Sequence, residues 1–190
     1  MNRAGARDRL CRLMRQSVFS LIRVRRGAVG ASRGVLLAGG HAIPVVLGRK
    51  GVAAGKREGD GATPRGRFRL IRLWWRADRG PRPPTRLPVR RIDRALAWCE
   101  DPDDPRYNRP FSRSANEPGD RLWREDHLYD LVIEISHNTR PRVARRGSAV
   151  FVHVARPDRS GTAGCVALDA RDLRRLLGRL GPSTRIDIGP

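Results

Sequence analysis

The sequence predicts a mainly-β domain, either a sandwich or an open barrel, with one helix near its C-terminus. Short runs rich in Val, Ile and Leu recur at 19–24, 34–38, 43–47, 67–73, 128–135, 149–154 and 185–188, and turn residues bound several of them. Apolar residues at clear helical spacing stand out only after residue 169. With 190 residues the chain suits one domain, at most one domain with a tail, and can bury a real core.

Taken from the N-terminus, residues 1–16 read as a basic tail, helical or frayed, and the folded unit spans 17–190. Three strand candidates follow closely upon one another. The stretch Gly59-Asp60-Gly61-Ala62-Thr63-Pro64-Arg65-Gly66 is turn-rich and leads into the strand that carries Phe68. Residues 76–122 are rich in Pro, Arg and Asp and read as irregular; so long a loop within one domain suggests a lid or a binding wall. Beyond the strands at 128–135 and 149–154, Leu173, Leu176, Leu177 and Leu180 form one apolar stripe. Asp169 is a good N-cap, Asp172 sits in the first turn, and Gly181-Pro182 stops the helix, which should brace the sheet.

Composition narrows the function. Forty Lys and Arg against 19 Asp and Glu give a formal net charge of +21, and Lys50 and Lys56 are the only lysines. Such charge fits an anionic partner, or a compositional bias toward arginine, since the arginines are spread along the chain. Aromatics make up 5%, too few for a base-stacking platform, so a specific nucleic-acid partner is not expected. No apolar run approaches the ~20 residues that span a bilayer. The start is basic, but the apolar piece Val18–Ile22 ends at Arg23, so no export signal is recognised. Cys11, Cys99 and Cys165 form no CxxC pair, and His41, His127, His137 and His153 lie too far apart for a local metal motif. Gly55-Lys56 fails as a phosphate-binding loop, because Arg57 stands where Ser or Thr is required. A zinc site is weakly supported.

The chemistry concentrates between Gly147 and Leu168. Along 149–154 the side chains alternate, so Phe151 and His153 share one face while Val150, Val152 and Val154 share the other. A loop with Pro157, Gly161 and Gly164 ends at Cys165, just ahead of the helix. A His closing a strand and a Cys on a glycine turn can meet in space. There the imidazole would take the thiol proton, and basic loop residues such as Arg156 and Arg159 would favour the thiolate. Gly164 would let backbone approach a substrate, and the N–H groups of Gly164 and Cys165 would face an oxyanion. The plainer alternative is a hydrogen-bonded core His and a small buried Cys. Cys99 reads as structural and Cys11 as incidental.

Three segments, in order, are similar to one family. They are Thr63-Pro64-Arg65-Gly66-Arg67-Phe68 within GDGATPRGRFRL, the stretch LWREDHLYDLVIEISHN ending at Asn138, and GSAVFVH followed by TAGCVAL. Together they resemble the L,D-transpeptidase catalytic domain, also called YkuD or ErfK/YbiS, in its short stand-alone branch, over roughly residues 18–189. The resemblance implies a mostly-β catalytic domain without cofactors that remodels peptidoglycan. Cys165 would attack a stem tetrapeptide before its terminal D-alanine, and His153 would serve as base and then as acid. A second stem's amine would accept the acyl group; with water as acceptor the enzyme is a carboxypeptidase or hydrolase. That substrate implies the periplasm or cell envelope, while the lack of a recognised export signal leaves the cytoplasm open.

Departures from the better-known members shape the remaining expectations. Those members carry Ser-His-Gly-Cys where Thr162-Ala163-Gly164-Cys165 stands here, and a polar residue where Ala167 stands. The group that orients His153 is then a backbone carbonyl near Ala155 or the Thr162 hydroxyl. Asn138 would line the cleft or simply form a turn, and Arg156 would bind a substrate carboxylate or stay solvated. Thr63 and Pro64 would shape a turn, and Tyr129 would pack. The competing non-enzymatic reading is a basic module that holds an anionic polymer.

Overall fold

Val, Ile and Leu runs bounded by turns favour extended chain, and in the computed structural model they form most of one large sheet. The structure describes residues 17–28 and 30–190; the expected tail over 1–16, with Cys11, lies outside the described residues. In chain order the strands are β1 (Leu21–Arg26), β2 (Arg33–Ala38), β3 (His41–Val46), β4 (Val52–Ala53), β5 (Thr63–Pro64) and β6 (Gly66–Trp75). Then come β7 (Val89–Arg91), β8 (Leu96–Trp98), β9 (Pro110–Ser112), β10 (Asp120–Arg121), β11 (Leu131–Ile135), β12 (Phe151–Val154) and β13 (Val166–Leu168). Helix α1 (Ala170–Leu177) precedes β14 (Arg185–Gly189).

Eight strands pair in the order β11-β12-β13-β3-β2-β1-β14-β6, and β6 pairs again with β11. The expected mainly-β fold is therefore a sheet joined into a barrel. Strand β6 makes the closure. Its first residues, Gly66 to Arg69, pair with β14, and Leu70 to Trp75 pair with β11 across a register shift at Glu134/Ile135. Such a shift bends a strand and lets a sheet curl, and closure removes exposed edges. Strand β7 adds to β6 in parallel.

The main core gathers Ile22, Val24, Leu36, Leu73, Ile133 and Val152 against Leu173, Leu176 and Leu177 of α1. The Asp169 carboxylate accepts from the Arg171 N–H at 2.8 Å, as expected of the cap. The helix ends at Leu177, sooner than Gly181-Pro182 would stop it. The Arg179 and Leu180 N–H groups donate three residues back, to Leu176 O and Leu177 O at 2.9 and 3.1 Å. The chain tightens there and still buries Leu180.

The stretch 76–122 departs from the irregular reading. It carries β7 and a separate three-stranded sheet, β10-β8-β9. This sheet roofs a second apolar cluster in which Trp98, Ile92 and Leu122 meet Val132, Phe151 and Cys165. Trp98 stands edge-on to Phe151 at 4.9 Å between ring centroids. The alternation read along β12 is present: Val150, Val152 and Val154 enter the main core, and Phe151 enters the second cluster. Cys165 thus lies on the apolar floor beneath this roof.

Candidate active site

Strands β12 and β13 run parallel, with Val152 opposite Val166 and His153 opposite Ala167. Cys165 directly precedes β13 and so shares the face of Ala167, the face that also carries Phe151 and His153. It lies diagonally across from His153 on the adjacent strand. Cys165 is 7% and His153 6% exposed, and both line one cavity of about 480 Å³. The thiol is not sealed in the core.

The sulfur has two backbone neighbours. The thiol donates to Ala149 O at 3.2 Å, and Sγ accepts the Phe151 N–H at 3.3 Å. His153 Nδ1 lies 2.8 Å from Val154 O. A carbonyl only accepts, so Nδ1 carries the proton and Nε2 keeps its lone pair. The Tyr129 ring stands edge-on to the imidazole at 5.2 Å, and its hydroxyl donates to Asp120 Oδ2 at 2.8 Å. Burial pushes His153 down to about 4, against the pull of Val154 O. Burial also pushes the Cys165 thiol up to about 12, against the Phe151 N–H. Near neutral pH the free protein therefore holds a neutral imidazole and a neutral thiol on one face of the sheet.

Two threonines fix the turn before the sulfur. Thr162 Oγ1 and Thr63 Oγ1 both donate to Cys165 O, at 2.7 and 3.4 Å. Thr63 is fully buried and also accepts the Gly48 N–H at 2.8 Å, so Thr63-Pro64, expected as a turn, is the short strand β5 fastened to the loop before Cys165. Gly164 has φ +156°, and a Cβ there would stand 2.9 Å from Ala62 O. The requirement for glycine is thus backbone geometry and close packing. We expect Gly164→Ala to lose roughly 1–3 kcal/mol of stability, read by chemical denaturation; an unchanged midpoint would show that the turn accepts a side chain.

The other expected site residues divide. The Gly164 N–H donates to Thr162 Oγ1 at 3.1 Å, which turns it away from the oxyanion role expected of it. The Thr162 hydroxyl faces Cys165 O, so it does not orient His153; Val154 O does, one residue before Ala155. The Ala155 N–H donates to Leu168 O at 2.8 Å. Asn138 is committed to its own loop and is not among the residues lining the cavity: Nδ2 donates to Val143 O and Gly147 O, and Oδ1 accepts the Val143 N–H. With φ 50° it is a turn former. Arg156 is exposed at the cavity edge. Cys99 is buried just past β8, its Sγ 3.9 Å from Asp101 O.

The structure adds residues that sequence reasoning passed over. Tyr129, read as packing, borders the imidazole. Lys56, set aside with the failed phosphate loop, is 6% exposed and lines the same cavity. The signal for it was present: one of only two lysines in an arginine-rich chain, set four residues before an Asp in a glycine turn. The wall formed by 76–122 brings Glu100 and Asp120 to the cavity. Its charged lining is mixed, with Arg49, Lys56, Arg124 and Arg156 facing Glu58, Glu100 and Asp120.

A family model described as the L,D-transpeptidase catalytic domain, YkuD, matches residues 31–188. The chain belongs to that family. Comparisons with curated proteins and with solved structures return no match. Membership makes it an enzyme of the L,D-transpeptidase type, a family that acts on peptidoglycan. Among the described residues no group of three or more His, Cys, Asp or Glu side chains is placed to hold a metal ion, and no helix is long and apolar enough to cross a membrane.

Proposed function

We propose that the chain transfers the acyl group of a peptidoglycan stem tetrapeptide through a thioester on Cys165, with His153 as base. The observation that carries this reading is the placing of both residues on one face of neighbouring strands, at the wall of a cavity of about 480 Å³. Its mixed charges suit a zwitterionic peptide better than an anionic polymer, which would favour a uniformly basic groove.

The neutral resting pair sets the order of events. The thiol S–H points at Ala149 O, and its proton must pass to His153 Nε2 as Sγ bonds to the scissile carbonyl carbon. Val154 O holds Nδ1–H throughout and supports the imidazolium that forms. The Phe151 N–H stays on the sulfur as negative charge develops there. When the carbon–nitrogen bond breaks, the imidazolium returns its proton to the departing D-alanine amine. An acceptor amine then attacks the thioester, or water does. Arg156, at the cavity edge, would receive a substrate carboxylate.

Incubation with a disaccharide tetrapeptide, followed by mass analysis, tests this. We expect free D-alanine together with a cross-linked dimer. A tripeptide product alone would make the enzyme a carboxypeptidase. An unaltered substrate under conditions where a carbapenem acylates the protein would exclude the tetrapeptide donor.

A further inference from the structure

A buried ammonium is costly unless paired, and it costs still more in a chain that otherwise uses arginine. Lys56 is nevertheless nearly enclosed beside the candidate nucleophile. Its Nζ donates to Asp60 Oδ1 and to Arg57 O, the latter at 2.8 Å. Asp60 is itself pinned, since its carboxylate accepts the Arg57 and Ala62 N–H groups at 2.7 and 2.9 Å. An ammonium has three donors. Two are used within the turn 56–60.

The other side of the ammonium borders Gly164. A Cβ built on Gly164 would stand 3.5 Å from both Nζ and Cε of Lys56. The ammonium thus lies within van der Waals reach of the residue before Cys165. The Gly164 N–H, the donor expected for an oxyanion, is already held by Thr162 Oγ1. A positive donor therefore stands beside a residue whose amide is already engaged. The compact ammonium fits this corner, whereas a planar guanidinium needs a wider slot.

We propose that Lys56 is a catalytic residue whose ammonium donates a hydrogen bond to the oxyanion formed when Cys165 adds to the scissile carbonyl. As the sulfur–carbon bond forms, the carbonyl π pair moves onto oxygen and the thiol proton moves to His153. Lys56 keeps its own proton throughout. When the carbonyl re-forms, the carbon–nitrogen bond breaks and His153 protonates the leaving amine. This inference rests on Cys165 as nucleophile.

The test follows acylation by a carbapenem with intact-mass measurements over a range of probe concentrations. Wild type is compared with Lys56→Met, Lys56→Arg and Cys165→Ala. We expect Lys56→Met to lower the maximal acylation rate roughly 100-fold, the loss typical of one oxyanion donor, with little change in the half-saturating concentration. Lys56→Arg should not restore the rate. Because Lys56→Met leaves Asp60 without its cation, the double variant Lys56→Met/Asp60→Asn carries the test should the single variant fail to fold. An unchanged maximal rate overturns the proposal. A loss confined to the half-saturating concentration also overturns it, and makes Lys56 a binder of the probe's carboxylate. Acylation of Cys165→Ala protein would bring down the nucleophile assignment itself, an outcome distinct from either.

Discussion

Cys165→Ala protein takes up no carbapenem, while its thermal midpoint stays within a few degrees of wild type. The chemical loss is complete because no other described cysteine lines the cavity; Cys99 is buried just past β8 and is not among the lining residues. The structural loss is small. Removing Sγ frees the contacts with Ala149 O and the Phe151 N–H and trims one small member of the second cluster, at a cavity wall that water can enter. A cost of about 1 kcal/mol moves the midpoint of a protein this size by roughly 2–4 °C. His153→Asn is the companion variant. The Asn amide can reach the position of Nδ1 and still donate to Val154 O, but it offers no basic lone pair at the place of Nε2. Its acylation rate should fall roughly 100- to 10,000-fold, the range ascribed to general-base groups. An adduct of undiminished yield on Cys165→Ala protein would move the nucleophile elsewhere, and peptide mapping would locate it.

The candidate pair was readable because both residues sit in segments with strong local signals. Alternation along 149–154 placed His153 on the face opposite Val152, and Gly164-Cys165 before a capped helix placed the thiol on a turn, where the short strand β13 in fact begins. The long apolar strands were readable for the same reason. What escaped was either too short or set by partners distant in sequence. Strands β8, β9 and β10 have two or three residues each, too few for any period to show, and they form because Trp98 and Leu122 find Phe151 across the fold. Barrel closure depends on β6 changing partners halfway along, which no local pattern announces. Asn138 reads equally well as turn former or ligand until Val143 and Gly147 are seen to claim its amide. Lys56 was hidden by the wrong template: next to a glycine it suggests a phosphate loop, and its real context is Asp60 and the distant Gly164.

The pH dependence follows from burial of the imidazole. His153 carries a folded value of about 4 against 6.5 for the exposed ring. Between these values the unfolded chain binds a proton that the folded chain refuses, so stability rises with pH across that window. The contribution is fully present above about 6.5 and is lost as pH falls toward 4. Its size is about 3 kcal/mol, since one pKa unit corresponds to about 1.36 kcal/mol. Denaturant titrations at pH 7 and pH 4.5 should show this loss in wild type and a smaller one in His153→Asn protein; the difference between the two removes the common effect of the carboxylates. Activity carries the same signature. A preformed thiolate–imidazolium pair would add a fall of kcat/KM above neutral pH, where an imidazolium held above its ordinary value by the thiolate gives up its proton. The neutral pair predicts a flat kcat/KM from pH 5 to 8 and a fall only as His153 protonates near 4. An inflection near 6.5 would mean that the imidazole is solvated in the working enzyme, and the cavity would then have to open before the sulfur reacts.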